Sequence, residues 1–306
     1  EASKDMLSVI ALIACAQVDS IWNVGIKTAA AQNMVAVGFI RQTLGVEISW
    51  LDWFIAAAPF AAIMSVALYF PLPQMMPPDV DEVPGGEATI KRELANLGPM
   101  GGGEKRLMFI AIALLCFWVL EGRTWGMLGI GGPEMAMRKI HPFNTASITV
   151  IAVSLLLIPG VGVMSWKEAQ GKINWGTLFL FGVGISLGSA IMDTQAGPWL
   201  AKSIVPAFGL ATSTPFMILA IMALFLIVIH MGFASATALA SALIPIIISV
   251  LSEVAKVQDG INVLGMTMIL QYVVSFGMIL PANAPQNMIA YGTDTFTVKQ
   301  FIRTGI

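Results

Sequence analysis

The feature that most narrows what this chain can fold into is a series of apolar runs close to the length a helix needs to cross a bilayer. At about 1.5 Å of rise per residue, roughly 20 residues cover the ~30 Å of hydrocarbon. Runs approaching that length lie at 51–70, 107–120, 146–164, 175–191, 215–229 and 264–280. Of the 306 residues, 57% are hydrophobic and 11% charged, a balance outside that of soluble globular chains. Backbone polar groups in hydrocarbon must be bonded within their own segment, so the runs read as helices. The fold expected is therefore an all-α, multi-pass (polytopic) membrane protein. A net charge of −2 with thinly spread Lys and Arg lacks the clustered cationic face that nucleic acid requires. Cys15 and Cys116 sit in apolar runs and are expected to be core residues rather than a disulfide or metal pair.

Several runs are interrupted. The first, 6–17, meets Asp19, Asn23, Lys27 and Thr28 and is expected to break there before resuming at 34–40. Residues 71–105, rich in Pro, Gly and charge, read as a linker on the cytoplasmic side between two halves. Near 199–208 an amphipathic piece is expected to lie along the interface. The run 215–229 stops at a polar and small-residue cluster, His230 to Ser241, before 243–251, and reads as a re-entrant hairpin. The last run meets Pro281, Asn283, Pro285, Gln286 and Asn287 and is expected to break again. Non-helical backbone at membrane depth persists only where protein encloses it, so the two breaks predict a binding site.

The two breaks resemble each other in sequence. Ala31-Gln32-Asn33-Met34-Val35-Ala36-Val37-Gly38 aligns with Pro285-Gln286-Asn287-Met288-Ile289-Ala290-Tyr291-Gly292, sharing Gln, Asn, Met, Ala and Gly. Each copy is followed by an amphipathic stretch, 48–53 and 296–302. Repeated halves with interrupted helices meeting near the midplane are a transporter architecture. With 71–105 inside, the halves come out inverted, with nine Lys and Arg inside (Lys4 among them) against six outside, a slight positive-inside bias. The segments expected are 1–70 as the end of a first repeat, 71–105 as linker, and 106–306 as a second repeat.

The segment Gly232-Phe233-Ala234-Ser235-Ala236-Thr237-Ala238, followed by Ala242-Leu243-Ile244-Pro245, resembles the second hairpin tip of the divalent anion/sodium symporter family. Leu280 to Asn287 resembles the loop interrupting that family's second broken helix. Asn174-Trp175 through Gly184 resembles the helix before its interfacial arm, and Glu47 to Trp53 the start of the span closing its first repeat. The resemblance covers nearly the whole chain, which starts at Glu1 and is read as a fragment lacking the first hairpin and the terminal helix. It implies an elevator-type symporter of the cytoplasmic (inner) membrane, a homodimer, coupled to Na+ and without an organic cofactor. Its implied cargo is a small organic anion, a di- or tricarboxylate.

Transferred by position, the resemblance implies that Ser235, Thr237 and Pro285 contact substrate, with Asn283, Asn287, Thr28, Asn33 and Lys27 lining the same place. Carbonyl oxygens of Ala234, Ala236, Asn283 and Ala29 are the implied sodium ligands. Ala236 stands where the family has Asn, and Ala29, Ala30 and Ala31 replace Gly, Ser or Thr, and Pro. Lys27 brings an ammonium to membrane depth, where a charge marks a pathway or a paired ion; pairing with Asp19 or snorkelling to an interface is its structural alternative. Asn33 and Asn287 have an alternative as helix caps bonding freed N–H groups. Ser235 and Thr237 have one as packing residues bonded to helix carbonyls. His230 is a lone imidazole and reads as structural, with a proton relay as its alternative. No His-Glu-x-x-His, Gly-x-Ser-x-Gly or phosphate-loop motif occurs, so no enzyme activity is expected. A proton-coupled or sodium-independent carrier, or a transport-dead or channel-like homologue, is the alternative.

Overall fold

A computed structural model describes residues 6–78, 85–128, 133–173 and 175–305. All regular structure among them is helical apart from one isolated β-bridge, Thr124 to Lys139. The helices are α1 Met6–Gly25, α2 Ala31–Leu44, α3 Trp50–Tyr69, α4 Pro71–Met75, α5 Gly86–Leu97, α6 Gly102–Val119, α7 Pro133–Ala136 and α8 Thr145–Leu157. They continue as α9 Trp166–Lys172, α10 Trp175–Asp193, α11 Ala196–Ala207, α12 Pro215–His230, α13 Ala236–Ala255, α14 Val263–Val274, α15 Pro285–Tyr291 and α16 Val298–Gly305. Among the described residues, three helical stretches are long and apolar enough to cross a membrane: Met6–Gly25, Trp50–Met75 and Ala236–Ala255.

The chain divides into two compact units. The first comprises Glu1–Ile48, Ala56–Val80 and Gly176–Ile306, the second Ser49–Ile55 and Asp81–Trp175, so each takes in segments from both sides of the expected linker. In the first unit α13 is the central element: α2, α11 and α14 pack on it, and Leu239, Ile244, Ile248 and Leu251 are fully buried along it. A second core joins Val9, Ile13 and Ala16 of α1 to Leu72, Phe296 and Phe301, and through it α16 holds its apolar side inward while Lys299 and Arg303 stay exposed. In the second unit α6 packs on α8. Glu121, just beyond α6, accepts from Trp50 N–H at 2.8 Å and from Thr145 N–H and hydroxyl at 2.6 Å each. One carboxylate thus satisfies the first donors of both α3 and α8, which a helix start otherwise leaves open.

Several boundaries differ from expectation. The first break does not begin after Gln17: α1 continues to Gly25. Asp19 and Asn23 lie one turn apart and bond each other at 3.4 Å, and Ser20 returns its hydroxyl to the Ala16 carbonyl at 3.1 Å, so the polar residues are accommodated without unwinding. A Cβ on Gly25 would meet Trp22 and Ala61 at 3.0 and 3.1 Å, which marks the close approach of α1 to α3. The cluster His230 to Ser241 is mostly helical; only Met231–Ser235 lies between α12 and α13, because the Ser235 side chain caps α13 by accepting from Ala238 N–H at 3.3 Å.

The second break starts earlier than Pro281, since α14 ends at Val274 and Ser275–Ala284 is non-helical except for one 3-10 turn, Pro281–Asn283. Residues 71–105 are not a bare linker but contain α4, α5 and the first turn of α6. α5 lies between Gly85 and Gly98, both at positive φ, and carries a Glu87–Lys91 pair one turn apart. Within 71–105, Asp79, Asp81 and Glu82 lie outside the described residues, as do Lys4 and Asn174 elsewhere. Cys15 and Cys116 are exposed rather than core residues; on a membrane helix the outward face is apolar too, so an apolar neighbourhood does not imply burial.

Candidate functional site

Three interrupted segments of the first unit meet: the α1–α2 break at Ile26–Ala30, the α12–α13 tip, and the α14–α15 break. Asn283, 3% exposed, donates its amide to the His230 carbonyl at 2.8 Å and the Phe233 carbonyl at 2.9 Å. Its side-chain oxygen accepts from Leu280 N–H at 3.1 Å. One side chain therefore holds both the tip and its own loop. Gln32, on the first turn of α2, accepts from the Thr237 hydroxyl at 3.5 Å and donates to Ser275 Oγ at 3.4 Å, so it touches the tip helix and the end of α14 together. Gln286 makes the reverse reach, from α15 to Ser20 of α1 at 2.9 Å.

Asn33 and Asn287 do not act as N-caps. The cap positions are Ala30 and Ala284, which offer no side-chain acceptor. Instead the two amides donate to carbonyls that the breaks have freed: Asn33 to Asn23 O at 2.6 Å and Ile26 O at 3.2 Å, Asn287 to Gly277 O at 2.6 Å. In each break the short bond reaches back ten residues. Both side chains are fully buried. The resemblance places them on substrate, whereas this geometry has them bracing the breaks. Asn33 Oδ1 in turn accepts from Gln271 Nε2 at 3.3 Å, and Gln17 Nε2 donates to Thr304 Oγ1 at 2.9 Å.

Of the remaining sequence-predicted residues, Lys27 is 3% exposed and donates to the Ile48 carbonyl at 2.7 Å. Asp19 is exposed and takes the Asn23 amide. Thr28 and Ser235 are half-buried, while Ala29, Ala234 and Pro285 are exposed; Ala236 and Thr237 are buried at the start of α13. Thr237 and Asn283 are thus brought together with Gln32 and Ser275, and Lys27 is tied to the start of the next span. His230 is buried with Nε2 unbonded. Among the described residues no cluster of three or more His, Cys, Asp or Glu is present; the oxygens gathered here are carbonyls, amides and hydroxyls, the donor types that suit a hard monovalent cation.

The contacts of Gln32, Gln271 and Ser275 at the first break, and that of Gln17 to Thr304, match no motif. The signal that finds part of them is the gap-free extension of the repeat upstream of Gln32 and Gln286, which pairs Gln17 with Gln271 in the same register.

An all-helical membrane chain with interrupted helices gathered around amide and carbonyl oxygens has the character of a membrane carrier. All of residues 1–306 match the family described as sodium:sulfate symporter transmembrane region, and the chain belongs to that family. It is 49% identical to a membrane protein of Cupriavidus necator, over 96% of this chain and 54% of the relative. It is 24% identical to a sodium-dependent dicarboxylate transporter of Staphylococcus saprophyticus, over 89% of this chain and 50% of the relative. An L-tartrate/succinate antiporter of Escherichia coli is 26% identical over 72% of this chain and 41% of the relative. The chain spans about half the length of the curated relatives it matches.

Proposed function

We propose that the whole protein is a sodium-coupled symporter of small organic anions, di- or tricarboxylates, in the inner membrane, working as a homodimer by an elevator-type cycle. The observation that carries this reading is the convergence of the hairpin tip and both breaks through Asn283 and Gln32. In it α12 and α13 form a re-entrant hairpin, and the two broken helices are equivalent members of inverted repeats. The common ten-residue reach of Asn33 and Asn287 supports that equivalence.

Substrate carboxylates lie against Ser235, Thr237, Thr28, Lys27 and the Pro285 turn, facing the uncapped start of α2, whose oriented N–H groups favour an anion. Sodium travels as co-substrate on carbonyl oxygens of Ala234, Ala236, Asn283 and Ala29. Asn33 and Asn287 set the shape of this place rather than touch the cargo.

A second reading, exchange of one dicarboxylate for another without sodium, is favoured by the antiporter relative and by the buried ammonium of Lys27. The two separate in proteoliposomes holding the full-length protein. Radiolabelled succinate entering under an inward sodium gradient, saturably, absent in a potassium control and lost in Thr237→Ala, supports the symporter. Uptake that ignores sodium but requires internal dicarboxylate supports exchange. No uptake of dicarboxylates, citrate or sulfate under either regime rules out both.

A further inference from the structure

Among the described residues of the first unit, four amide oxygens are buried without a hydrogen-bond partner: Gln17 Oε1, Gln258 Oε1, Gln271 Oε1 and Asn287 Oδ1. Their identity as oxygens follows from their neighbours. Asn33 donates through its nitrogen to two carbonyls, so its oxygen faces Gln271 and the Gln271 nitrogen must be the donor. The other end of Gln271 is then an acceptor with nothing to accept. One turn earlier on the same face of α14 stands Thr267, fully buried, whose hydroxyl is also without a partner.

That hydroxyl is anomalous for this protein. Ser20, Ser65, Ser186, Ser241 and Ser249 each return their hydroxyl to the carbonyl four residues back, the usual way a helix accommodates one. Thr267 does not. Residues at i and i+4 have Cβ atoms about 5–6 Å apart, and a long helical side chain leans back toward the preceding turn, so Gln271 and Thr267 are neighbours on one face of α14. They make no direct hydrogen bond.

We infer that a single buried water molecule sits between the Thr267 hydroxyl and Gln271 Oε1. It accepts from the first and donates to the second, which is the pairing a donor group and an acceptor group on one face require. A cation fits less well, because two oxygens are too few to replace its hydration shell, and an under-coordinated buried charge carries a far larger desolvation cost. Since both atoms are closed off within this chain, no further segment of the protein can reach them without opening α14. The water completes a hydrogen-bonded line from Thr267 through Gln271 and Asn33 to the carbonyls of Asn23 and Ile26. Thr267 is thus a positioning residue for the first break, although it lies on the second broken helix.

The test uses the full-length protein in nanodiscs at about 2 Å resolution, with cysteine labelling of Thr28→Cys as an independent readout. A density peak bridging Thr267 and Gln271, lost in Thr267→Val and kept in Thr267→Ser, supports the inference. So does labelling of residue 28 that rises roughly fivefold in Thr267→Val, as expected for losing one hydrogen bond in the brace, and returns in Thr267→Ser. The inference is overturned if the Thr267 hydroxyl is found on the Val263 carbonyl with no peak beside it. It is equally overturned if the peak vanishes when sodium is replaced by choline, or if labelling is the same in all three proteins.

Discussion

At the scale of single residues, the breaks are held by amide side chains used as donors. Ending a helix inside a membrane strands carbonyls as well as N–H groups, and a stranded buried carbonyl costs about 1–3 kcal/mol. Asn33 covers two such carbonyls and Asn287 one. Replacing each with Leu, similar in volume but unable to donate, should therefore lower stability by about 1–3 kcal/mol per carbonyl, with Asn33→Leu the worse of the two. Unfolding in mixed micelles checks this, and equal losses would mean that Ile26 contributes nothing. The Gln-Asn pairs stand out in the sequence as polar residues where a helix fails, but residue type does not disclose whether a side chain gives or takes a proton. Hence a reading as caps for N–H groups was open, and only the direction of the bonds closes it. Gln17 and Gln271 are harder to see, because each sits in an apolar run where one polar residue looks incidental.

Among elements, composition suffices to place α3, α10 and α11 near their observed bounds, since proline, glycine and amphipathic pattern act locally. It fails for α1 and α5, whose continuity depends on pairs one turn apart: Asp19 with Asn23, Glu87 with Lys91. Docking of α10 is likewise a matter of contacts. Side chains added at Gly184 and Gly188, four residues apart, would collide with Ser241 of α13 and Phe39 of α2, the small-residue device that brings membrane helices close. Gly188→Ile should detach α10 and make a cysteine introduced at the buried Ser241 of α13 label at least about tenfold faster, whereas the same change at Gly182, with open space around it, should be silent. At α9, outside the candidate spans, Glu168 accepts from Ser165 N–H at 2.8 Å and from its hydroxyl at 2.9 Å. The backbone bond first, then the hydroxyl, hold its carboxyl below the usual range. A depressed folded-state value stabilises the helix above the unfolded value, and this contribution disappears as pH falls through the folded one. The protection of α9 amides, taken relative to their intrinsic exchange rate at each pH, should therefore fall on acidification in the native protein and stay flat in Glu168→Gln; parallel profiles would remove the carboxyl from the account.

For the molecule as a whole, the decisive connection is between segments about fifty residues apart, the α12–α13 turn and the second break, through the Asn283 amide. The sequence marks both segments separately, by small residues in one and proline in the other, but nothing local in it joins them. Two donor bonds, each worth about 1 kcal/mol net, are enough to keep this turn closed most of the time and still let it open thermally. Asn283→Asp keeps the shape, loses both donors and turns an oxygen toward two carbonyl oxygens, so it should free the tip at least as much as Asn283→Ala. A spin label at Ala234→Cys reads this directly. Its motion should increase in both variants, with succinate uptake falling at least about tenfold and the unfolding temperature changing little. Uptake lost without any change at the label would mean that Asn283 acts on the cargo and not on the tip. Label motion increased with uptake intact would mean that closure of the tip is not part of the transport cycle.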